Sequence, residues 1–156
     1  MRYHEYIQSE EWKQTRQRYI KSSYRKSRVK CKLCACFGPI DLHHLTYARV
    51  GQEYKSDLLG LCRECHDLIH SLMKVDAKSQ PKLPGVIKKA RKKWFAHANM
   101  FGLWNLRKAD PRRYKELATE FMRAFLFRRF SMLNKQTNGR AIGWNSRNVN
   151  LAKFGH

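Results

Sequence analysis

Leu42-His43-His44-Leu45-Thr46-Tyr47, followed by Asp57-Leu58-Leu59-Gly60-Leu61-Cys62-Arg63-Glu64-Cys65-His66-Asp67-Leu68-Ile69-His70, is the stretch whose reading decides the fold. At its start, Ile40-Asp41-Leu42-His43 alternates apolar and polar residues and predicts a short strand, and residues 58–62 form a short apolar run. Val50-Gly51-Gln52-Glu53 marks the loop between them, with Ser56 and Asp57 as candidate caps. From Cys65 to about Lys74 the residues have helical character. Neighbours on a strand point to opposite faces, so His43 and His44 can hold different jobs. His66 and His70 are spaced i, i+4 and share one face of the predicted helix, a spacing suited to joint metal binding.

Cys31-x2-Cys34 and Cys62-x2-Cys65 are two CxxC pairs with 27 residues between them. Each CxxC bend brings two sulfurs within reach of one ion, and zinc prefers four ligands in a tetrahedron, so the four thiolates predict a structural zinc. A redox role would need only one pair and a thioredoxin-like context, which neither pair has. Cys36 is left over, as a free thiol or as a competitor of Cys34 for the zinc. A closed four-thiolate site has no open position and does no chemistry. Any catalysis therefore falls to other residues, and four of the seven histidines lie inside or beside this frame.

Working outward, Arg28-Val29-Lys30-Cys31 alternates briefly, and Phe37-Gly38-Pro39 adds a turn, which together suggest a zinc knuckle leading into a β-hairpin. Upstream, Ser9 is an N-cap candidate and Glu10 and Glu11 suit the first turn of a helix over 10–24. That helix carries Trp12, Arg16, Tyr19, Ile20 and Ser23 at helical spacing and Lys13, Arg18, Lys21 and Arg25 on its polar face. Downstream, residues 77–84 read as a polar, proline-bearing linker. A helix follows from Pro84 or Gly85 to about Asn99, with Ile87, Ala90, Arg91, Trp94 and Phe95 on one side. Asp110-Pro111 is an N-cap with proline at the first helical position, and Tyr114, Leu117, Ala118, Phe121, Met122, Phe125 and Leu126 form a stripe to about Leu133. The expected class is α+β: an N-terminal helix and zinc-stabilised core over 1–76, a basic helical extension over 77–133, and a basic, flexible tail over 134–156.

The chain carries 33 Lys+Arg against 12 Asp+Glu, a formal net charge of +21. Such a field attracts a polyanion, so nucleic acid is the first partner to expect, ahead of an anionic membrane surface or a merely solvated exterior. No apolar run reaches the ~20 residues that span a bilayer. The N-terminus lacks the apolar core of a signal peptide, so a cytoplasmic protein without disulfides is expected. Lys88, Lys89, Arg91, Lys92 and Lys93 form a charge run beside Trp94 and Phe95 and are candidate phosphate contacts, with a solvated helix face as the alternative.

The pattern His43-His44-Leu45-Thr46-Tyr47, Arg49, Gly51, Glu53, Asp57-Leu58, Leu61-Cys62-x-x-Cys65-His66 and Ile69-His70 resembles the HNH endonucleases with their ββα-metal fold, most closely the subgroup with a four-cysteine zinc knuckle. The arrangement of histidines is also similar to the colicin-type nuclease domains. The resemblance covers about residues 28–74. It implies that His43 and His66 are ligands of a catalytic metal, that His70 one turn on is another, and that His44 is the general base. Asp57 stands where the family usually has Asn, and its role stays open between ligand, partner of His44 and cap.

Independently of the resemblance, hydrolysing a phosphodiester needs an activated water and stabilisation of charge on the phosphate. A neutral histidine supplies the first and a divalent metal the second. Mg, Mn, Ni or Zn would serve, with imidazoles favouring a transition metal over Mg. Arg49 either contacts an adjacent phosphate or is a surface residue or partner of Glu53. The expected activity is a DNA endonuclease acting on duplex DNA. With one site per chain, cutting both strands needs a homodimer or two events. The alternatives are a non-catalytic zinc protein that binds nucleic acid, alone or as a subunit of a larger complex, and an RNase or toxin acting on RNA.

Overall fold

The computed structural model describes residues 2–24, 27–75 and 82–138. In chain order the elements are α1 (Tyr3–Tyr6), α2 (Glu10–Ser23), β1 (Asp41–His44), a 3-10 turn (Lys55–Asp57), β2 (Leu58–Leu61), α3 (Arg63–Val75), α4 (Leu83–Met100), α5 (Leu103–Ala109) and α6 (Pro111–Asn138). The class is α+β, as expected. The caps read from the sequence are formed: Ser9 Oγ accepts from Trp12 N at 3.2 Å and Asp110 Oδ1 accepts from Arg113 N at 3.0 Å. Two short helices, α1 and α5, were not expected. Neither is long enough to display a periodic apolar stripe. α6 runs past the expected stop at Leu133 to Asn138, because no glycine or proline interrupts the sequence before Gly139. The rest of the expected tail and the core of the expected linker lie outside the described residues.

β1 and β2 form an antiparallel pair with Asp41 opposite Leu61 and His44 opposite Leu58. Both faces of this small sheet are covered, and the period of two sorts its side chains between them. Leu42 and Leu58 join Tyr6, Trp12, Tyr19, Tyr24 and Ile40 in an apolar cluster with the N-terminal helices. Leu61 turns to the other face, into a larger cluster with the cysteines, Leu68, Ile69 and Leu72 of α3, and the C-terminal helices. Gly60 lets Tyr19 and Ile40 approach the strand. Its N–H donates to the Tyr19 hydroxyl at 3.0 Å, and a Cβ there would lie 2.7 Å from Ile40 Cδ1.

The first CxxC is a tight knuckle. Cys31 N donates to Cys36 O at 2.9 Å, Ala35 N to Cys31 O at 3.0 Å, and Ala35 takes a left-handed φ of 64° to close it. Lys32 N donates to Gly60 O at 2.9 Å, which fastens the knuckle to β2. The C-terminal helices are fastened to the same knuckle. Trp94 Nε1 of α4 and the Tyr114 hydroxyl of α6 both donate to the Cys34 carbonyl, at 2.9 and 2.7 Å, and both side chains are fully buried. Arg107 of α5 donates to the Ala35 carbonyl at 3.1 Å. The helices after residue 82 thus share one apolar core with the cysteines. Among the described residues no helix is long and apolar enough to cross a membrane.

Candidate metal centres

Cys31, Cys34, Cys62 and Cys65 are all buried, and their sulfurs lie within 4.8 Å of one another, close enough to hold one metal ion such as zinc. The knuckle brings the first pair, and the turn from β2 into α3 brings the second, where His66 N donates to Cys62 O at 2.9 Å. The donor chemistry fits zinc: four soft sulfurs, an amide from Leu33 pointing at Cys31 Sγ at 3.4 Å, and no carboxylate among them. Burial pushes the Cys31 thiol up, but hydrogen bonds from Cys34, Cys36, Cys62 and Cys65 bring it well below its ordinary value. Cys36 lies beside this set rather than in it, its sulfur 3.2 Å from Cys34 Sγ.

A second group stands on the α3 face of the sheet. His43 of β1 and His66 and His70 of α3 bring one ring nitrogen each within 4.8 Å of the others. His66 Nε2 and His70 Nε2 are 3.2 Å apart. His43 is 2% exposed, yet neither of its ring nitrogens has a hydrogen-bond partner, and His66 Nδ1 has none either. Buried polar atoms are normally satisfied, so the unpartnered His43 ring, grouped with the nitrogens of His66 and His70, fits a ligand. Burial, followed by His70 and His66, pushes His43 down to about 3. Burial also lowers His66 and His70. All three are therefore neutral imidazoles at neutral pH, the form that binds a metal.

His44 points to the other face of β1, as the strand period requires. There it lies among residues of the N-terminal helices. Its ring stacks on Trp12 at 4.9 Å and on Tyr47 at 5.6 Å between centroids. Nε2 is 3.0 Å from Glu53 Oε1 and Nδ1 is 3.2 Å from the Tyr3 hydroxyl. Glu53 also accepts from the Tyr6 hydroxyl at 2.7 Å and from Gly51 N at 3.1 Å. Burial raises the Glu53 carboxyl, but these donors together bring it below its ordinary value.

Asp57 lies outside the histidine group. Its carboxylate accepts from Arg49 through both oxygens and from Tyr54 N at 2.9 Å. The Arg49 guanidinium, ahead of a burial penalty, holds the Asp57 carboxyl below its usual range. Of the roles left open for Asp57, this is the capping one, and it closes the loop between the strands. Arg49 pairs with Asp57 and not with Glu53, and its guanidinium also lies 4.9 Å from the Tyr54 ring. On α4, Lys88, Lys89, Arg91, Lys92 and Lys93 are all exposed, and α4 contains no carboxylate. Arg91 folds over the Phe95 ring at 5.0 Å. The Cys and His ligand candidates are thus brought together in two groups, while Asp57, Arg49 and α4 stand apart from both.

Sequence reasoning missed Tyr3, Tyr6 and Trp12 as the surroundings of His44. α1 gives no periodic signal, and contacts 41 residues apart leave no local trace. Glu53 had a signal, a carboxylate two residues after a glycine in a loop between two histidine-bearing segments. Neither a protein-family model, nor a curated protein, nor a solved structure matches the chain, so both centres rest on the geometry described above.

Proposed function

We propose that this protein is a metal-dependent endonuclease of the HNH type that hydrolyses phosphodiester bonds in DNA. The observation that carries the reading is the trio His43, His66 and His70, which bring one ring nitrogen each within 4.8 Å of the others, with the buried His43 unpartnered at both nitrogens. In this reading Cys31, Cys34, Cys62 and Cys65 hold a zinc that stabilises the fold and takes no part in chemistry. His43, His66 and His70 hold a divalent metal, which would supply charge stabilisation at a phosphate oxygen and the leaving group. His44 accepts the proton of the attacking water. The uncompensated lysines of α4 and the net charge of +21 draw in the polyanion.

Supercoiled plasmid incubated with the zinc-loaded protein and added Mg, Mn, Ni or Zn tests the reading. Nicked or linear product is expected only with added metal, and His43→Ala and His44→Ala are each expected to abolish it while one zinc per chain is retained. Cleavage by His44→Ala at the wild-type rate refutes the mechanism. A matched RNA substrate cut in preference to DNA would mark an RNase.

A second reading has its own observation. The His44 side chain is 1% exposed and both its nitrogens are engaged, which suits a purely structural histidine in a non-catalytic zinc protein that binds nucleic acid. That reading predicts tight binding and no cleavage with any metal.

A further inference from the structure

The hydrogen-bond chain through His44 has a direction, and the direction follows from Glu53. Its side chain is 1% exposed. An ionised carboxylate only accepts, and here it accepts from three donors at once: the Tyr6 hydroxyl, Gly51 N and His44 Nε2. His44 therefore carries its proton on Nε2. Gly51 makes this possible. Its φ of 89° lies in the left-handed region, which turns its N–H back onto Glu53 Oε1. In a neutral ring the remaining nitrogen, Nδ1, is an acceptor, and the group facing it is the Tyr3 hydroxyl. Burial, then Tyr47, raises Tyr3 to about 12, so it keeps its proton and donates.

We propose that Glu53 is a positioning residue for His44: it holds the ring as the Nε2–H tautomer and leaves Nδ1, covered by the Tyr3 hydroxyl of α1, as the one nitrogen that can receive a proton from water. The catalytic half of this proposal rests on the nuclease reading, and the tautomer assignment does not. Tyr3 is the exposed member of the chain at 43%, and α1 is one turn long. Tyr6, at the other end of the same turn, donates to Glu53 and packs on Trp12, so Nδ1 is uncovered by rotation of the Tyr3 side chain alone, with α1 kept in place. Trp12 and Tyr47 stack on the ring and hold its plane while this happens.

The test uses the full chain, zinc-loaded and 15N-labelled. Long-range 1H–15N correlation spectra report the tautomer of each neutral histidine, and His44→Gln assigns the signal. Wild type is expected to show His44 protonated on Nε2, and Glu53→Ala a mixture of tautomers. Glu53→Gln keeps an acceptor in place and guards against a variant that fails to fold; it is expected to retain the Nε2–H form in part. In plasmid cleavage, Glu53→Ala is expected to lower kcat by about 10–100-fold, the range typical when an orienting partner is lost. KM and metal content stay unchanged, and Glu53→Gln loses less. Tyr3→Phe is expected to raise the rate. A wild-type His44 protonated on Nδ1, or a Glu53→Ala protein that keeps the pure Nε2–H form, overturns the positioning role. A tenfold loss in Tyr3→Phe overturns the covering role. If wild type shows the expected tautomer but cuts nothing with any metal, the nuclease reading fails and the assignment of Glu53 as the residue that fixes the ring stands.

Discussion

Replacing Lys88, Lys89, Lys92 and Lys93 together by glutamine tests whether α4 is a phosphate-binding surface or a solvated helix face. All four are exposed, and among the described residues none forms an ion pair. They fall into two i, i+4 pairs, and at 1.5 Å per residue the members of each pair stand about 6 Å apart along the axis. Both pairs can thus follow one phosphate backbone. Glutamine has nearly the helix propensity of lysine, so the fold is kept. Each duplex phosphate contact contributes about −0.9 to the slope of log K against log salt, so four contacts contribute about −3.6. Between 50 and 200 mM salt a slope of that size corresponds to about 150-fold in affinity. The assay is fluorescence anisotropy with a labelled duplex across that range. The variant is expected to bind more weakly at low salt, to show a slope flatter by up to about 3.6, and to converge on wild type as salt rises. An unchanged slope refutes the argument, and so does an affinity loss equal at both ends of the range.

Three further outcomes follow from packing and protonation. Trp94→Ala removes a fully buried indole and its hydrogen bond to Cys34 O, which is expected to cost about 3–5 kcal/mol. Unfolding in urea, followed by circular dichroism and by a chromophoric chelator, should show helix loss and zinc release shifting together; zinc retained to the wild-type midpoint would separate the helices from the knuckle. Gly60→Ala places a methyl 2.7 Å from Ile40 Cδ1 and 3.0 Å from the Tyr24 hydroxyl and is expected to destabilise by about 1–3 kcal/mol; a neutral effect on the urea midpoint would show that the sheet is loosely covered. His43 is lowered to about 3 from 6.5, so the unfolded chain binds its proton first. The stability this contributes is complete above pH 6.5 and is lost as pH falls towards 3, at roughly 1.4 kcal/mol per unit. With the histidine centre free of metal, wild type should lose stability faster than His43→Leu between pH 6.5 and 5; parallel curves would show that His43 is not buried as a neutral ring.

What the sequence made legible here was local. Cys31, Cys34, Cys62 and Cys65 declare themselves because a CxxC bend is self-contained, and His66 and His70 share a face because helical spacing alone puts them there. The strand period went further, since it assigned His43 and His44 to opposite faces before either neighbour was known. What sits on those faces was not legible. Asp57 is an example: its three donors come from a loop whose closure depends on Arg49 folding back across eight residues, and the sequence offered Glu53, not Asp57, as a partner for that arginine. The attachment of the C-terminal helices was hidden for a different reason. Trp94 and Tyr114 look like ordinary members of amphipathic stripes, and nothing in a stripe says that the polar tips of its aromatics will meet on one carbonyl of a distant knuckle.

That attachment bears on the two histidines as well. A single interior joins the thiol group, α3 and the C-terminal helices, so the helix carrying His66 and His70 is held in it through Leu68, Ile69 and Leu72. His44 depends instead on the smaller aromatic cluster built by α1 and α2. The two halves of the proposed chemistry are therefore supported by different cores. Damage to the larger core should cost metal content first, whereas damage to the smaller one should disturb the His44 ring while both metals stay bound. Trp12→Leu, which removes a stacking partner of His44 and belongs to neither the thiol group nor the group of His43, His66 and His70, isolates the second case. Its spectra should show a changed His44 signal with unaltered zinc content, and loss of zinc from that variant would mean that the two cores fold as one.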